Sequence, residues 1–182
     1  MKYETIGKVQ WENKNLIDSL EDFLRVYASR PIRNNGGGMS SSHMFATWFL
    51  CRQLQPEYII ESGIWKGQSS WLLETTCPNA KIISIDPNLL VRQYISPRIK
   101  YTTTDFNNIN WDSVDKSKTL CFFDDHYGLD RVKQAAHHGF THILYEDNYH
   151  DGRGNSYHPV YGNVANMEPL NEGERSYSPK SS

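Results

Sequence analysis

Apolar residues at Leu16, Ile17, Leu20, Phe23, Leu24 and Tyr27 recur at helical spacing, with Asp18, Glu21 and Asp22 between them, which predicts an amphipathic helix. The chain then runs through Arg30-Pro31 into Asn34-Asn35-Gly36-Gly37-Gly38, a loop whose glycines reach backbone conformations closed to other residues and which is placed to wrap a ligand. Ser40 to Ser42 supply caps for a second helix carrying Met44, Phe45, Trp48, Phe49 and Leu54, which ends before Pro56. From Glu57 the pattern changes to short apolar runs alternating with helical ones, the signal of a parallel sheet built by crossovers. The predicted strands are Tyr58–Glu61, Lys81–Asp86, Arg98–Thr103, Thr119–Asp124 and His142–Glu146. Helices are expected from Gln68 to Thr75 and from Leu129 to His138, the second turning Leu129, Val132, Ala135 and Ala136 toward the sheet and stopping at Gly139. This is an α/β fold, a mostly parallel sheet with helices on both faces.

After Tyr149 the composition turns to Gly, Asn, Ser, Tyr and Pro with hardly an aliphatic residue, so 149–182 reads as loop or tail. No further strand is legible there, and the sheet is expected to be incomplete at its C-terminal edge, or the chain to be a fragment. The 182 residues suit one domain, with N-terminal helices and glycine loop in 1–55, the sheet in 56–148 and the tail in 149–182. A hydrophobic content of 38%, a charged content of 22% and a net charge of -2 describe a globular protein with no field to draw polyanions, so nucleic acid is not an expected partner. No apolar run approaches the ~18 residues of a membrane span. Cys51, Cys77 and Cys121 are widely spaced without a C-x-x-C pair, which suits a reducing, cytoplasmic setting.

Ligands of open α/β sheets bind outside the carboxyl ends of the strands, and here those ends are acidic: Glu61, Asp86, Asp105, Asp124-Asp125 and Glu146-Asp147. Glu61-x-Gly63-x-x-x-Gly67 carries two glycines that let a backbone turn sharply and approach a ligand closely. It lacks the G-x-G-x-x-G spacing that holds a pyrophosphate. S-adenosylmethionine (SAM), which offers an ammonium, a sulfonium and ribose hydroxyls but no phosphate, suits acidic neighbours. Asp86, a little over twenty residues on, is placed to accept from both ribose hydroxyls, and Asp105 from an adenine amino group, with Phe106 to cover the ring face. Trp65 and Lys66 sit in the cofactor turn itself, where simple packing of Trp65 and solvent exposure of Lys66 are as open as a ligand contact, and His43 follows the glycine loop in a segment able to close over the site.

Together, Glu61-Ser62-Gly63 with Gly67, Ile85-Asp86-Pro87 and Thr104-Asp105-Phe106 resemble the class I, Rossmann-like SAM-dependent methyltransferases over residues 57–147. Phe122-Phe123-Asp124-Asp125-His126 with Leu144-Tyr145-Glu146-Asp147-Asn148 is similar to the metal-dependent O-methyltransferases, of which two branches match. One is the catechol type; the other is the macrolide-sugar and cephalosporin hydroxylase-like group. Ser156-Tyr157-His158-Pro159-Val160-Tyr161-Gly162 resembles the segment that follows Glu-Asp in the sugar branch, though about eight residues separate it from Glu146-Asp147 here.

The resemblance implies cofactor contacts from Glu61, Gly63, Ile64, Trp65, Gly67, Ser69, Asp86, Asp105 and Phe106. It implies a Mg2+ (or Mn2+) held among Asp124, Asp125, Glu146 and Asp147, with the choice between Asp124 and Asp125 open, and catalytic roles for His126 and Asp125. A hard divalent ion suits such oxygen ligands, and an imidazole has a suitable pKa to take the acceptor's proton. The expected activity is methylation of a hydroxyl on a sugar or glycan-like small molecule. Its rivals are an oxidative, cephalosporin hydroxylase-like enzyme and a non-catalytic SAM-binding domain of a larger glycan-modifying protein. Oligomeric state is not legible.

Overall fold

A computed structural model describes residues 12–146. Asp147 and the tail expectations for 149–182 lie outside the described residues. Two helices come first, α1 (Asn13–Ala28) and α2 (Ser41–Leu54), followed by β1 (Tyr58–Ser62), α3 (Gln68–Thr76), β2 (Lys81–Ile85), β3 (Ile99–Thr102), β4 (Thr119–Phe123), α4 (Leu129–His137) and β5 (His142–Tyr145). All five strands are parallel, in the order β3-β2-β1-β4-β5, so the fold is a Rossmann-like α/β sheet. The chain winds outward from β1 through β2 to β3, then returns to place β4 on the other side of β1. That reversal opens a crevice between the carboxyl ends of β1 and β4.

The two sheet faces are covered differently. Ile59, Ile82, Ile99, Leu120 and Phe122 pack with Phe23, Met44, Trp48, Phe49, Leu72 and Leu73, so α1, α2 and α3 share one face. Ile60, Ile85, Cys121 and Phe123 meet Phe106, Trp111, Val114, Ala135 and Phe140 on the other, where α4 is the one α-helix among the described residues. The β2–β3 and β3–β4 crossovers carry only short 3-10 turns at Leu89–Val91, Phe106–Asn108 and Lys116–Lys118. Phe106 and Trp111, both from the β3–β4 crossover, pack on this face in place of a helix, their ring centroids 5.3 Å apart.

Two predicted faces shift. On α4, Arg131 and Ala135 are buried, whereas Ala136 is exposed and Val132 half-buried, so the helix is rotated relative to the expected apolar face. The cause is electrostatic: Arg131 has acidic partners under the helix, and its i, i+4 neighbour Ala135 follows it inward. On α1, Phe23 is buried, with Leu16, Val26 and Tyr27 against the core. Ile17, Leu20 and Leu24 of the predicted stripe stay exposed. No helix among the described residues is long and apolar enough to cross a membrane.

Candidate active site

Strand register decides which acids reach the crevice. Ser62 pairs with Ile85 on one side and Phe123 on the other, and Phe123 with Tyr145. The next residues, Gly63, Asp86, Asp124 and Glu146, therefore form one row at the sheet's mouth. Backbone bonds extend the ladder into it, from Gly63 N to Ile85 O (2.9 Å), Asp124 N to Ser62 O (2.8 Å) and Glu146 N to Phe123 O (2.8 Å). Glu61 lies two residues inside this row, and Asp105 beyond it.

A cleft of about 490 Å³ opens at the row, walled by Gly37, Gly38, Gly63, Trp65, Asp86, Pro87, Asp124, Asp125 and His126. Its size suits a small organic ligand. Of the predicted cofactor contacts it brings together Gly63, Trp65 and Asp86, and it adds the glycine loop. Of the catalytic and metal set it adds Asp124, Asp125 and His126. Glu61, Ile64, Gly67, Ser69, Asp105, Phe106 and Glu146 do not line it.

The turn is held by Asp86. Its Oδ2 accepts from the amides of Ile64 (2.9 Å) and Trp65 (3.2 Å), and its Oδ1 from Asn88 N (2.8 Å). The two glycines answer to the protein's own backbone. A Cβ on Gly63 (φ 94°) would meet the Asp124 carbonyl oxygen, and one on Gly67 (φ 91°) the Tyr94 carbonyl oxygen at 2.9 Å. Trp65 (φ 49°) and His126 (φ 57°) also take left-handed conformations on the cleft wall, a pattern that favours functional turns. The glycine loop is tethered to the turn through Lys66 Nζ on Asn34 O (2.9 Å) and Trp65 Nε1 on Gly36 O (3.4 Å). Trp65 and Lys66 of the turn thus both bond to the backbone of that loop.

Glu61 is sealed from the cleft. It is fully buried and accepts from the hydroxyls of Ser69 (2.6 Å), Ser70 (2.6 Å) and Ser84. Burial raises its pKa, the three hydroxyls opposing the shift. Ser69 is spent on this carboxylate. Phe106 is likewise fully buried, its ring against Trp111, Phe123, His138 and Phe140, so it presents no face to cover an adenine.

Two partnerships were not legible in the sequence. Arg131 is buried and donates from Nε to Asp125 Oδ2 (2.8 Å) and from its terminal nitrogens to Asp105 Oδ2 (2.8 Å) and Oδ1 (3.3 Å). It holds the Asp105 carboxyl below its ordinary pKa. Burial pushes Asp125 up, against Arg131 and a 2.5 Å hydrogen bond from Ser62 Oγ. Its signal in the sequence was a charged residue four positions before Ala135, on what becomes the buried face. The second is His43, whose Nδ1 lies 2.5 Å from Oε1 of the buried Glu146. His43, on α2, thus has a buried carboxylate partner at the end of β5.

A divalent ion suits these residues unequally. Asp124 and Asp125 both line the cleft, and the Asp125 carboxylate also serves a guanidinium and a hydroxyl, which a cation there would have to displace. Among the described residues no three His, Cys, Asp or Glu side chains converge as a metal site.

No family model matches the sequence, and no curated protein matches it. Solved structures do. A SAH-bound methyltransferase from Podospora anserina, PaMTH1, is 15% identical with a TM-score of 0.51 over 78% of this chain and 73% of its own. A structure of cmcI with SAH is 18% identical with a TM-score of 0.50 over 77% and 78%. At such identities the likeness is one of fold.

Proposed function

We propose that the chain is a SAM-dependent O-methyltransferase acting on a hydroxyl of a sugar or glycan-like small molecule with divalent-metal assistance. The observation that carries this reading is the cleft at the β1–β4 reversal. A glycine turn fastened to Asp86 forms one wall, and the Asp124–His126 turn forms the other. The two similar structures, each solved with SAH, favour the same ligand class.

Bound SAM supplies the electrophilic methyl group. Asp86, pinned by three amides, presents a fixed carboxylate edge to ribose hydroxyls, and Trp65 with Gly37 and Gly38 forms part of the cleft wall beside it. An imidazole nitrogen of His126 would take the proton of the acceptor hydroxyl as the methyl passes to its oxygen, the methyl–sulfur bond of SAM breaking to leave SAH. A divalent ion beside Asp124 would lower the pKa of that hydroxyl and help orient it; Asp147, outside the described residues, and Glu146 are its other candidate ligands.

Calorimetry with SAH tests the reading: the wild type binds, and Asp86→Ala binds at least about tenfold more weakly, having lost a charged hydrogen-bond acceptor. Mass analysis of products across sugar acceptors then shows a gain of one methylene, abolished by EDTA and restored by Mg2+. Absence of SAH binding would refute the assignment, and a gain of oxygen would replace it with oxidative chemistry. Tight SAH binding without turnover over a broad acceptor panel would point to a binding domain.

A further inference from the structure

Glu74, on α3, is a buried carboxylate that the proposed chemistry leaves without a task. Its side chain is 7% exposed. Oε2 accepts from the Tyr94 hydroxyl and Oε1 from Ser96 Oγ (2.7 Å), with Arg98 Nε 3.4 Å from the same oxygen. The three donors stand at alternate positions of the β2–β3 crossover, which forms no helix or strand between Leu89–Val91 and β3. A segment without regular structure of its own is thus located by bonds to one buried acid. Burial, and after it the Glu74 carboxylate, pushes the Tyr94 hydroxyl up to about 12, so it stays a donor.

The backbone of the same tyrosine meets the turn after β1. Tyr94 N and Gln93 N donate to the Lys66 carbonyl (3.0 and 2.9 Å), and a Cβ on Gly67 would lie 2.9 Å from the Tyr94 carbonyl oxygen and 3.1 Å from the Tyr94 Cβ. Glu74 stands about two helical turns beyond Gly67, on the helix that this turn starts. The path from Gly67 along α3 to Glu74, through the Tyr94 side chain and back to Lys66, therefore closes on itself. At the other end of the crossover, Asp86 accepts from Ile64 N and Trp65 N. Residues 64–67 are held from both ends of one crossover, by a carboxylate at the first and by Tyr94 at the second.

We propose that Tyr94 is a positioning residue for cofactor binding: bolted to Glu74, it holds the crossover against Lys66-Gly67 and so fixes the cleft wall that Gly63 and Trp65 form. This rests on the SAM reading above. Neither Tyr94 nor Glu74 lines the cleft. A turn already in place leaves less ordering to be done on binding, which raises affinity without any contact to the ligand.

The test is Tyr94→Phe, which keeps the ring and the backbone and removes the hydroxyl, studied by calorimetry with SAH on the full chain. SAH affinity is expected to fall about fivefold, and without ligand the amides of residues 64–67 are expected to exchange about fivefold faster in hydrogen-exchange mass spectrometry. Val114→Ala, in the core of the opposite sheet face, supplies a protein of lowered melting temperature with the crossover intact, and its SAH affinity is expected to match the wild type. A lowered melting temperature in Tyr94→Phe with wild-type SAH affinity would overturn the proposal, as would an equal loss of affinity in both variants. Should Tyr94→Phe not fold, Ser96→Ala removes another bond to Glu74 and is expected to show the same two changes in smaller measure; wild-type values for both would again overturn it. No affinity of the wild type for SAH would remove the SAM reading and this proposal together, whereas normal wild-type binding with unchanged variants removes this proposal alone.

Discussion

A Cβ placed on Gly63 would lie 2.0 Å from the carbonyl oxygen of Asp124 and 2.4 Å from its carbonyl carbon. The turn after β1 and the turn after β4 are thus in direct backbone contact, and the two walls of the cleft are set by one another. Glycine is required at position 63 by this contact as much as by its φ of 94°.

Gly63→Ala is therefore expected to separate the two turns. Left-handed strain together with an irreducible backbone clash costs at least ~3 kcal/mol. For a chain of this length that is a fall of about 6–12 °C in melting temperature. Thermal unfolding followed by circular dichroism measures it, and an unchanged melting temperature would show that the turns can part freely.

Glu61 makes a prediction about pH. Its folded pKa is raised above the ordinary value of 4.5 by burial. Below that value both folded and unfolded forms are protonated, and the group is neutral to stability. As pH rises from 4.5 through the folded pKa, the unfolded chain releases its proton first, so stability falls and then levels off. Glu61→Gln removes that slope. Subtracting the melting-temperature profiles of the two proteins over this window is expected to give a difference that grows with pH; parallel profiles would mean that the carboxylate titrates normally.

Strand identity was legible because each strand is a short apolar run closed by a polar residue, and β1 to β5 fall within a residue or two of expectation. Register was not. Nothing in the one-dimensional pattern tells that Glu61 sits two residues inside the row occupied by Asp86 and Asp124, because register depends on how crossovers return each strand to its neighbour. The serines that clothe Glu61 come from α3 and β2, eight to twenty-three positions away. Arg131 was missed for a related reason: an arginine in an amphipathic helix reads as solvent-facing until the acids beneath it are located in space.

The glycine loop carries a third prediction. Its tethers to the turn are two side-chain hydrogen bonds, from Lys66 and Trp65, whereas the turn itself is held independently by backbone bonds from Gln93 and Tyr94 to the Lys66 carbonyl. Trp65→Phe with Lys66→Met is expected to loosen only the loop. If the pair contributes ~1 kcal/mol, amide exchange at residues 35–38 accelerates about fivefold. Hydrogen exchange by mass spectrometry reads this directly, and equal exchange in both proteins would show that packing alone holds the loop.

The last prediction separates Asp124 from Asp125 as the metal ligand. A cation brought to Asp125 meets the Arg131 guanidinium, whose Nε is 2.8 Å from Oδ2. Two unit positive charges 4 Å apart repel by about 4 kcal/mol at the effective dielectric of a protein surface, and a divalent ion by about twice that. Displacing Arg131 would also release Asp105, which the same guanidinium holds. A cation held by Asp124, which lines the same cleft, leaves the Arg131 bonds to Asp125 and Asp105 in place. In a Mn2+ titration followed by electron paramagnetic resonance in the presence of SAH, Asp124→Asn is expected to abolish binding, and Asp125→Asn to weaken it far less. The reverse order would mean that Arg131 swings away when the metal enters, and that the Asp105–Arg131–Asp125 bridge belongs only to the metal-free protein.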